Sequence, residues 1–282
     1  MNYFQLKEDL KKEFELAGIN EFSDIDWIIC EVLDKKRSEL AFIKEFTDEQ
    51  LIKIQNAVSL RLEHMPIGYI FGKTNFFGYN LKVSKDVLIP RLDTEILVER
   101  VIKDINSQGS QVSVLDLCTG SGAIAIVIKK ETNANVVAVD ISKSAVQIAK
   151  QNAVLCEADI NVVESNLFEN LTGEKFDIIV SNPPYIETEV VQTLDKEVKD
   201  YEPHLALDGG IDGLDFYRKI IDEAPKFLNK NGKLYFEIGY NQADTISKLM
   251  KKKFKNIEVL KDYENNNRVV LGELYDWKIK EN

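Results

Sequence analysis

The residues best suited to chemistry in this 282-residue chain are Asn182-Pro183-Pro184-Tyr185. They follow a hydrophobic run, Phe176–Ser181, that reads as a strand. The two prolines stiffen the chain after it. Neither has a backbone N–H, so the carbonyls near them are fixed acceptors, and Asn182 adds a side-chain carbonyl oxygen. Such a pair of acceptors suits a planar NH2 group, as in a carboxamide or a nucleobase, whose lone pair is delocalised and poorly nucleophilic. Holding both hydrogens aims the nitrogen at an electrophilic carbon and favours pyramidalisation. The plain structural alternative is a rigid turn with Tyr185 as a core residue.

A second stretch, Val114-Leu115-Asp116-Leu117-Cys118-Thr119-Gly120-Ser121-Gly122, reads as a strand entering a glycine loop and then a helix. Gly120 and Gly122 allow close approach of backbone to a ligand. Such loops lie at the carboxyl ends of strands, where open α/β sheets bind ligands. Asp140 ends the next strand, 18 residues after Gly122, where an acid can accept hydrogen bonds from ribose hydroxyls. The loop has the GxGxxA form and leaves a dinucleotide open. Asp116 favours a cationic ligand, such as a sulfonium with its amino group, over a pyrophosphate. Cys118 has no basic partner nearby in sequence and reads as packing rather than nucleophile.

These loops need a scaffold. From Ser113 onward, apolar runs alternate with helical patterns, implying an α/β, Rossmann-like sheet that is mostly parallel. The last two strands, Ile257–Leu260 and Arg268–Leu274, have only the turn-prone Asn265-Asn266-Asn267 between them, so the last strand is expected to run antiparallel. Residues 1–65 read as a small helical domain, 66–90 as a β-hairpin linker and 91–282 as the main domain. In the first, Leu6, Leu10, Phe14 and Ala17 share a helical face, Gly18 is a stop, and Thr47 and Gln50 have capping-box spacing. A stripe around Trp27 reads as helix core.

Composition narrows the classes. The net charge is −11 and the pI about 4.9, which argues against a dedicated nucleic-acid binder. Three scattered cysteines and two distant histidines suggest no disulfide framework and no metal site. The N-terminus does not read as a signal peptide and no run is long enough to span a membrane, so a cytoplasmic setting is expected.

Together, Val114–Gly122 and Ser181–Ile186 resemble class I S-adenosylmethionine methyltransferases of the amino-methylating group. Pro66–Gly72, Phe77-Gly78, Val87–Arg91, Thr94-Glu95, Tyr201-Glu202-Pro203, Ala206-Leu207, Gly209-Gly210, Asp212-Gly213-Leu214, Tyr217-Arg218 and Phe236–Gly239 extend the likeness to the release-factor glutamine methyltransferases of the PrmC/HemK type. It runs colinearly over about residues 1 to 275. The resemblance implies methylation of N5 of the glutamine in the Gly-Gly-Gln motif of peptide chain release factors, with S-adenosyl-L-homocysteine as coproduct. It implies that the small domain docks the release factor, and no nucleic-acid substrate or membrane partner is expected. By that likeness Asp116, Gly120 and Gly122 hold the methionine part of the cofactor, with Cys118, Thr119 and Ser121 in the same loop. Asp140 takes the ribose and Asn166-Leu167 the adenine. Asn182 and Pro183 hold the target amide, Tyr185 packs against it, and Pro184 completes the substrate turn.

The chain departs from the family at three places. Leu92-Asp93 stands where Pro-Glu is usual, Asn166 where an Asp is common, and Leu167 where an aromatic residue is frequent. Two features are open on sequence alone. Arg91 and Glu95 either shape the substrate mouth or form a structural ion pair. Tyr201–Gly213 either folds over the site or is a surface loop. The two rival functions are amino methylation of a nucleobase and a non-catalytic docking module.

Overall fold

The computed structural model describes residues 1–108 and 111–276. In chain order its elements are α1 (Tyr3–Leu16), α2 (Ser23–Leu33), α3 (Asp48–Leu62), α4 (Ile67–Phe71), β1 (Lys73–Phe76), β2 (Tyr79–Lys82), α5 (Asp93–Gln108), β3 (Ser113–Leu117), α6 (Ala123–Glu131) and β4 (Asn135–Asp140). There follow α7 (Lys143–Leu155), β5 (Asn161–Glu164), β6 (Phe176–Ser181), α8 (Thr188–Val191), α9 (Lys196–Lys199), α10 (Asp215–Phe227), β7 (Leu228–Glu237), α11 (Ala243–Met250), β8 (Phe254–Lys261) and β9 (Asn267–Leu274). The chain divides into two compact units, Met1–Gly72 with Asp195–Tyr201, and Lys73–Leu194 with Glu202–Asn282.

The first unit is helical. Leu6, Leu10 and Phe14 recur at helical spacing on α1 and are buried. Asn2 and Gln5 form a reciprocal capping box at its start, and Gly18 follows the helix at φ +75°. Thr47 and Gln50 form the expected box on α3. On α2 the core face is Ile25, Ile28 and Ile29. Trp27 is instead 41 % exposed, its indole N–H donating to Glu31 Oε1 at 3.3 Å. The expected tryptophan core is therefore corrected. In a helix rich in isoleucine, the residue next to two inward positions is rotated about 100° toward solvent.

Residues 66–90 are not hairpin throughout. Ile67–Phe71 is a helical turn of the first unit, and only Lys73–Lys82 pair as a hairpin. Its two-residue turn, Phe77-Gly78, has positive φ at both positions, as a primed hairpin turn requires. Glu95 Oε1 accepts a 2.7 Å hydrogen bond from Phe77 N and secures that strained residue.

The second unit carries a seven-stranded sheet in the order β5-β4-β3-β6-β7-β9-β8. β3 through β7 pair in parallel. β9 runs antiparallel to both β7 and β8 and lies between them, as the short asparagine-rich connection predicts. β3 and β6 are near-continuous apolar runs because helices cover both sheet faces. One core face gathers Leu97, Val101, Ile126 and Val146, and the other Tyr217, Ile220, Ile246 and Phe254. Chain direction across the sheet reverses its order between β3 and β6, the switch point where a crevice opens beyond the strand ends. Among the described residues no helix is long and apolar enough to cross a membrane.

Candidate active site

Four strand ends meet at one cavity of about 240 Å³ in the second unit. The loop after β3 contributes Cys118, Thr119, Gly120 and Ser121, and β4 contributes Asp140. Asn166 and Leu167 follow β5, and Asn182 and Pro184 follow β6. Sequence reasoning therefore names nine residues of this wall. Asp116, Gly122, Pro183 and Tyr185 lie outside it. Asp116 and Pro183 are buried, while Tyr185 is half-buried and packs against the core face around Tyr217.

Asp116 sits inside β3, fully buried. Burial drives its pKa up to about 7, opposed by hydrogen bonds from the Thr119 hydroxyl and the Ala125 backbone. Thr119 Oγ1 donates to Oδ2 at 2.5 Å, and Oδ1 has no partner among the described residues. A buried carboxylate oxygen without a partner is costly and is a natural seat for a cationic or N–H-bearing ligand group.

Asp140 ends β4 in the cavity wall. Its Oδ2 accepts from Gly120 N at 2.8 Å and its Oδ1 from Ser142 N at 2.9 Å. Burial raises its pKa. The two backbone bonds fix the carboxylate and leave further lone pairs for hydroxyl donors.

The glycines do different things. Gly120 has φ +54°, and a Cβ there would meet nothing within 4 Å, being open to the cavity side of the loop. Gly122, at φ +83°, would place a Cβ 3.1 Å from Ala149 Cβ on α7. Gly122 thus serves helix packing and is the left-handed cap to α6. Cys118 also adopts positive φ. Burial pushes its thiol well above the ordinary range, consistent with packing rather than nucleophilic use.

Asn166 donates its amide N–H to Glu169 Oε1 at 2.7 Å. The amide is thereby oriented with nitrogen toward Glu169, leaving Oδ1 to accept. Leu167, at φ +51°, presents an aliphatic side chain to the cavity. Asn182 Nδ2 donates to Thr94 Oγ1 at 3.4 Å. Its Oδ1 has no protein partner among the described residues and is the uncommitted acceptor of this wall.

The turn after β6 is held from behind. Ile186 N donates to Leu207 O at 3.0 Å, and Gly209 N to Ile186 O at 2.8 Å. A Cβ on Gly209 would stand 2.8 Å from both Pro184 O and Tyr185 Cα. Gln242 Nε2 donates to Tyr185 O at 2.9 Å. Pro203, Leu205 and Ala206 line the cavity. The segment after Glu202 is thus both cavity wall and buttress, not a plain surface loop. Arg91 lines the cavity and bonds Glu202 Oε1 at 2.7 Å. It does not pair with Glu95, whose place is the hairpin turn.

Several wall residues were given no site role from sequence: Lys85–Leu88, Thr94, Ile141-Ser142 and Phe216, although Val87-Leu88 and Thr94 fall in stretches that carry the resemblance. Only Ile141-Ser142 had a local signal, being adjacent to Asp140. The others arrive from distant segments. Among the described residues no group of three or more His, Cys, Asp or Glu side chains is placed to hold a metal ion. The donor set fits a nucleoside bearing a cationic tail: a fixed carboxylate, an amide oxygen beside an aliphatic surface, and a buried carboxylate with an oxygen to spare.

Comparison with known proteins agrees with this geometry. Residues 91–212 match the methyltransferase small domain and residues 5–72 the PrmC N-terminal domain. Residues 156–270 also match the Eco57I restriction-modification methylase model. A release factor glutamine methyltransferase of Francisella tularensis is 40 % identical over 267 residues, 93 % of this chain and 94 % of that one. One of Clostridium acetobutylicum is 41 % identical over 257 residues, 88 % and 90 % of the two chains. One of Fusobacterium nucleatum is 40 % identical over 260 residues, 90 % of this chain and 73 % of the relative. Among solved structures, a methyltransferase from Pyrococcus furiosus superposes with a TM-score of 0.55 at 16 % identity, covering 81 % of this chain and 98 % of its own. A T. thermophilus 16S rRNA methyltransferase in complex with AdoMet and guanosine gives 0.54 at 20 % identity, covering 72 % and 50 %. These two share the fold. On the strength of the long, colinear identity with its relatives, the chain belongs to the release factor glutamine methyltransferase family.

Proposed function

We propose that this protein methylates N5 of the glutamine in the Gly-Gly-Gln motif of peptide chain release factors, using S-adenosylmethionine in the cytoplasm. The observation that carries the reading is Asn182. It stands in the same cavity wall as Gly120 and Asp140, its amide nitrogen turned to Thr94 and its oxygen uncommitted. That supplies a neutral acceptor beside a nucleoside-shaped site. The family relationship makes a release factor the acceptor protein.

The residues divide the work. Asp116, Thr119 and Gly120 would hold the methionine part of the cofactor, Asp140 the ribose, and Asn166 with Leu167 the adenine. S-adenosylmethionine supplies, when bound, an electrophilic methyl carbon. Asn182 Oδ1 and the Pro183 carbonyl each accept one hydrogen of the substrate carboxamide, removing its rotational freedom and directing the nitrogen lone pair. As the nitrogen becomes positive, those dipoles stabilise it more than they stabilise the neutral amide, which is the differential binding catalysis requires. Pro184 and the Leu205-Ala206 segment exclude water from the amide. No strong base is needed, because an N-protonated amide readily gives its proton to water. The helical unit, residues 1–72 with 195–201, is assigned the docking of the release factor.

The test is mass spectrometry of a release factor incubated with the protein and labelled S-adenosylmethionine. Label is expected on the Gly-Gly-Gln glutamine and absent when that glutamine is replaced. Label that survives the replacement eliminates this substrate. The match to a restriction-modification methylase model supports a second reading, methylation of a nucleobase amino group. Methyl incorporation into rRNA or DNA with none into release factors decides for it.

A further inference from the structure

Glu237 ends β7 and is almost completely buried. It has no ion pair among the described residues, and its Oε2 has no hydrogen-bond partner there. Arg268 stands nearby; its Nη2 pairs with Asp93 at 3.0 Å and Asp262 at 3.1 Å, while its buried Nε has no partner among the described residues. A buried carboxylate held this way weakens a fold, and a purely structural position is better served by an amide or an aliphatic side chain. Its location suggests what it is kept for. Ser181 pairs with Phe236 where β6 and β7 run parallel, which sets Asn182 beside Glu237. The Thr94 hydroxyl and the Asn182 amide favour its charged form, and Asn182 Nδ2 reaches Thr94 Oγ1 at 3.4 Å.

The two ends of an asparagine carboxamide have nearly the same shape, so packing does not choose between them; partners do. Burial raises the Glu237 pKa to about 7; in its ionised form, which prevails above neutral pH, the carboxylate accepts and does not donate. Thr94 Oγ1 already accepts from Asn182 Nδ2, so its only proton is left to point to Glu237. The side of Asn182 facing these two residues therefore tolerates the NH2 end only. A flipped Asn182 would set Oδ1 against a carboxylate and present two donors to a substrate NH2, which cannot accept them.

We propose that Glu237 is a positioning residue: acting with Thr94, it fixes the sense of the Asn182 carboxamide so that Oδ1 is the end offered to the substrate NH2. This rests on the reading of Asn182 as the amide acceptor and deepens it. It also accounts for an acid in Phe236-Glu237-Ile238-Gly239 that lies outside the cavity wall.

The experiment compares wild type, Glu237→Met, Glu237→Gln, Asn182→Ala and the Glu237→Met/Asn182→Ala double variant. Steady-state methylation of a release factor, S-adenosylmethionine binding by calorimetry and thermal melting are read for each. Glu237→Met is expected to lower kcat about 10- to 100-fold, the scale of one charge-assisted hydrogen bond. KM for the release factor and cofactor Kd should stay within about twofold. Glu237→Gln keeps an acceptor oxygen and should recover to within about fivefold of wild type. The double variant should be no slower than Asn182→Ala, because Glu237 acts through Asn182. Wild-type kcat under Glu237→Met overturns the proposal, as do losses that multiply with Asn182→Ala. Where Glu237→Met fails to fold, Thr94→Val must show the same kcat loss and the same epistasis, with Thr94→Ser restoring it. A wild type that labels no release factor takes down the functional reading and this proposal together. A wild type that labels it beside an unimpaired Glu237→Met takes down the proposal alone.

Discussion

Because Asp116 is proposed to face the cofactor, cofactor binding should be sensitive to pH in a direction that follows from the burial of this carboxylate. With a pKa near 7, about half of the free protein carries a proton there at neutral pH. The sign for stability comes first. The folded state holds this proton more tightly than the unfolded chain, so ionisation costs stability as pH climbs from about 4 to about 7. The shift from 3.8 to about 7 amounts to about 4 kcal/mol against the charged form. A cationic ligand beside Oδ1 favours the carboxylate and expels the proton. Binding of S-adenosylmethionine at pH 7 should therefore release about half a proton, and affinity should be about tenfold weaker at pH 6 than at pH 8. The ligand's own amino group titrates near 8 and opposes the trend only at the upper end. Calorimetry in buffers of different ionisation enthalpy reads the released proton directly. Asp116→Asn should bind more weakly at pH 8, lose the steep rise below pH 7, and melt higher without ligand at pH 8. Glu237 also titrates near 7, and the Asp116→Asn comparison separates the two. Affinity that is flat from pH 6 to 8, with no buffer-dependent enthalpy, refutes the assignment of the cation to Asp116.

Other perturbations have defined outcomes. Asn182→Ala should reduce turnover at least about 100-fold, leaving cofactor Kd within about threefold in calorimetry. Gly209→Ala forces a Cβ to within 2.8 Å of Pro184 O and Tyr185 Cα. It should lower both kcat and Tm, by about 1 to 3 kcal/mol in stability, measured by chemical denaturation. Asn166→Asp, although it restores the family's usual residue, sets a second carboxylate against Glu169 Oε1, which now accepts at 2.7 Å. Cofactor affinity should fall about threefold and recover in Asn166→Asp/Glu169→Gln.

What sequence reveals here depends on whether the information is local. Gly120, Asp140, Asn166 and Asn182 are each readable because each follows an apolar run at a strand's carboxyl end, and parallel strands gather those ends. The capping box of Thr47 and Gln50 is readable because both partners lie within one turn. Thr94 and Glu237 are not readable as partners of Asn182. They come from α5 and β7, and only tertiary packing joins them. Phe216 and Leu205 reach the wall in the same non-local way. Trp27 fails for another reason: α2 has apolar residues on more than one face, so spacing alone leaves its inward side undetermined. Gly122 is legible as a glycine requirement, yet the Ala149 side chain that demands it lies on a different helix.

The position of β9 bears on how the chain is made. It is synthesised after β7 and β8, yet it fills the slot between them. During translation β7 must therefore keep one row of backbone donors and acceptors open until residue 274 has emerged, and β8 has no partner to zip onto before then. An open, apolar strand edge of this kind invites mispairing in a crowded cell. Nascent chains stalled before Arg268 should accordingly be captured by chaperones, whereas those reaching past Leu274 should resist protease.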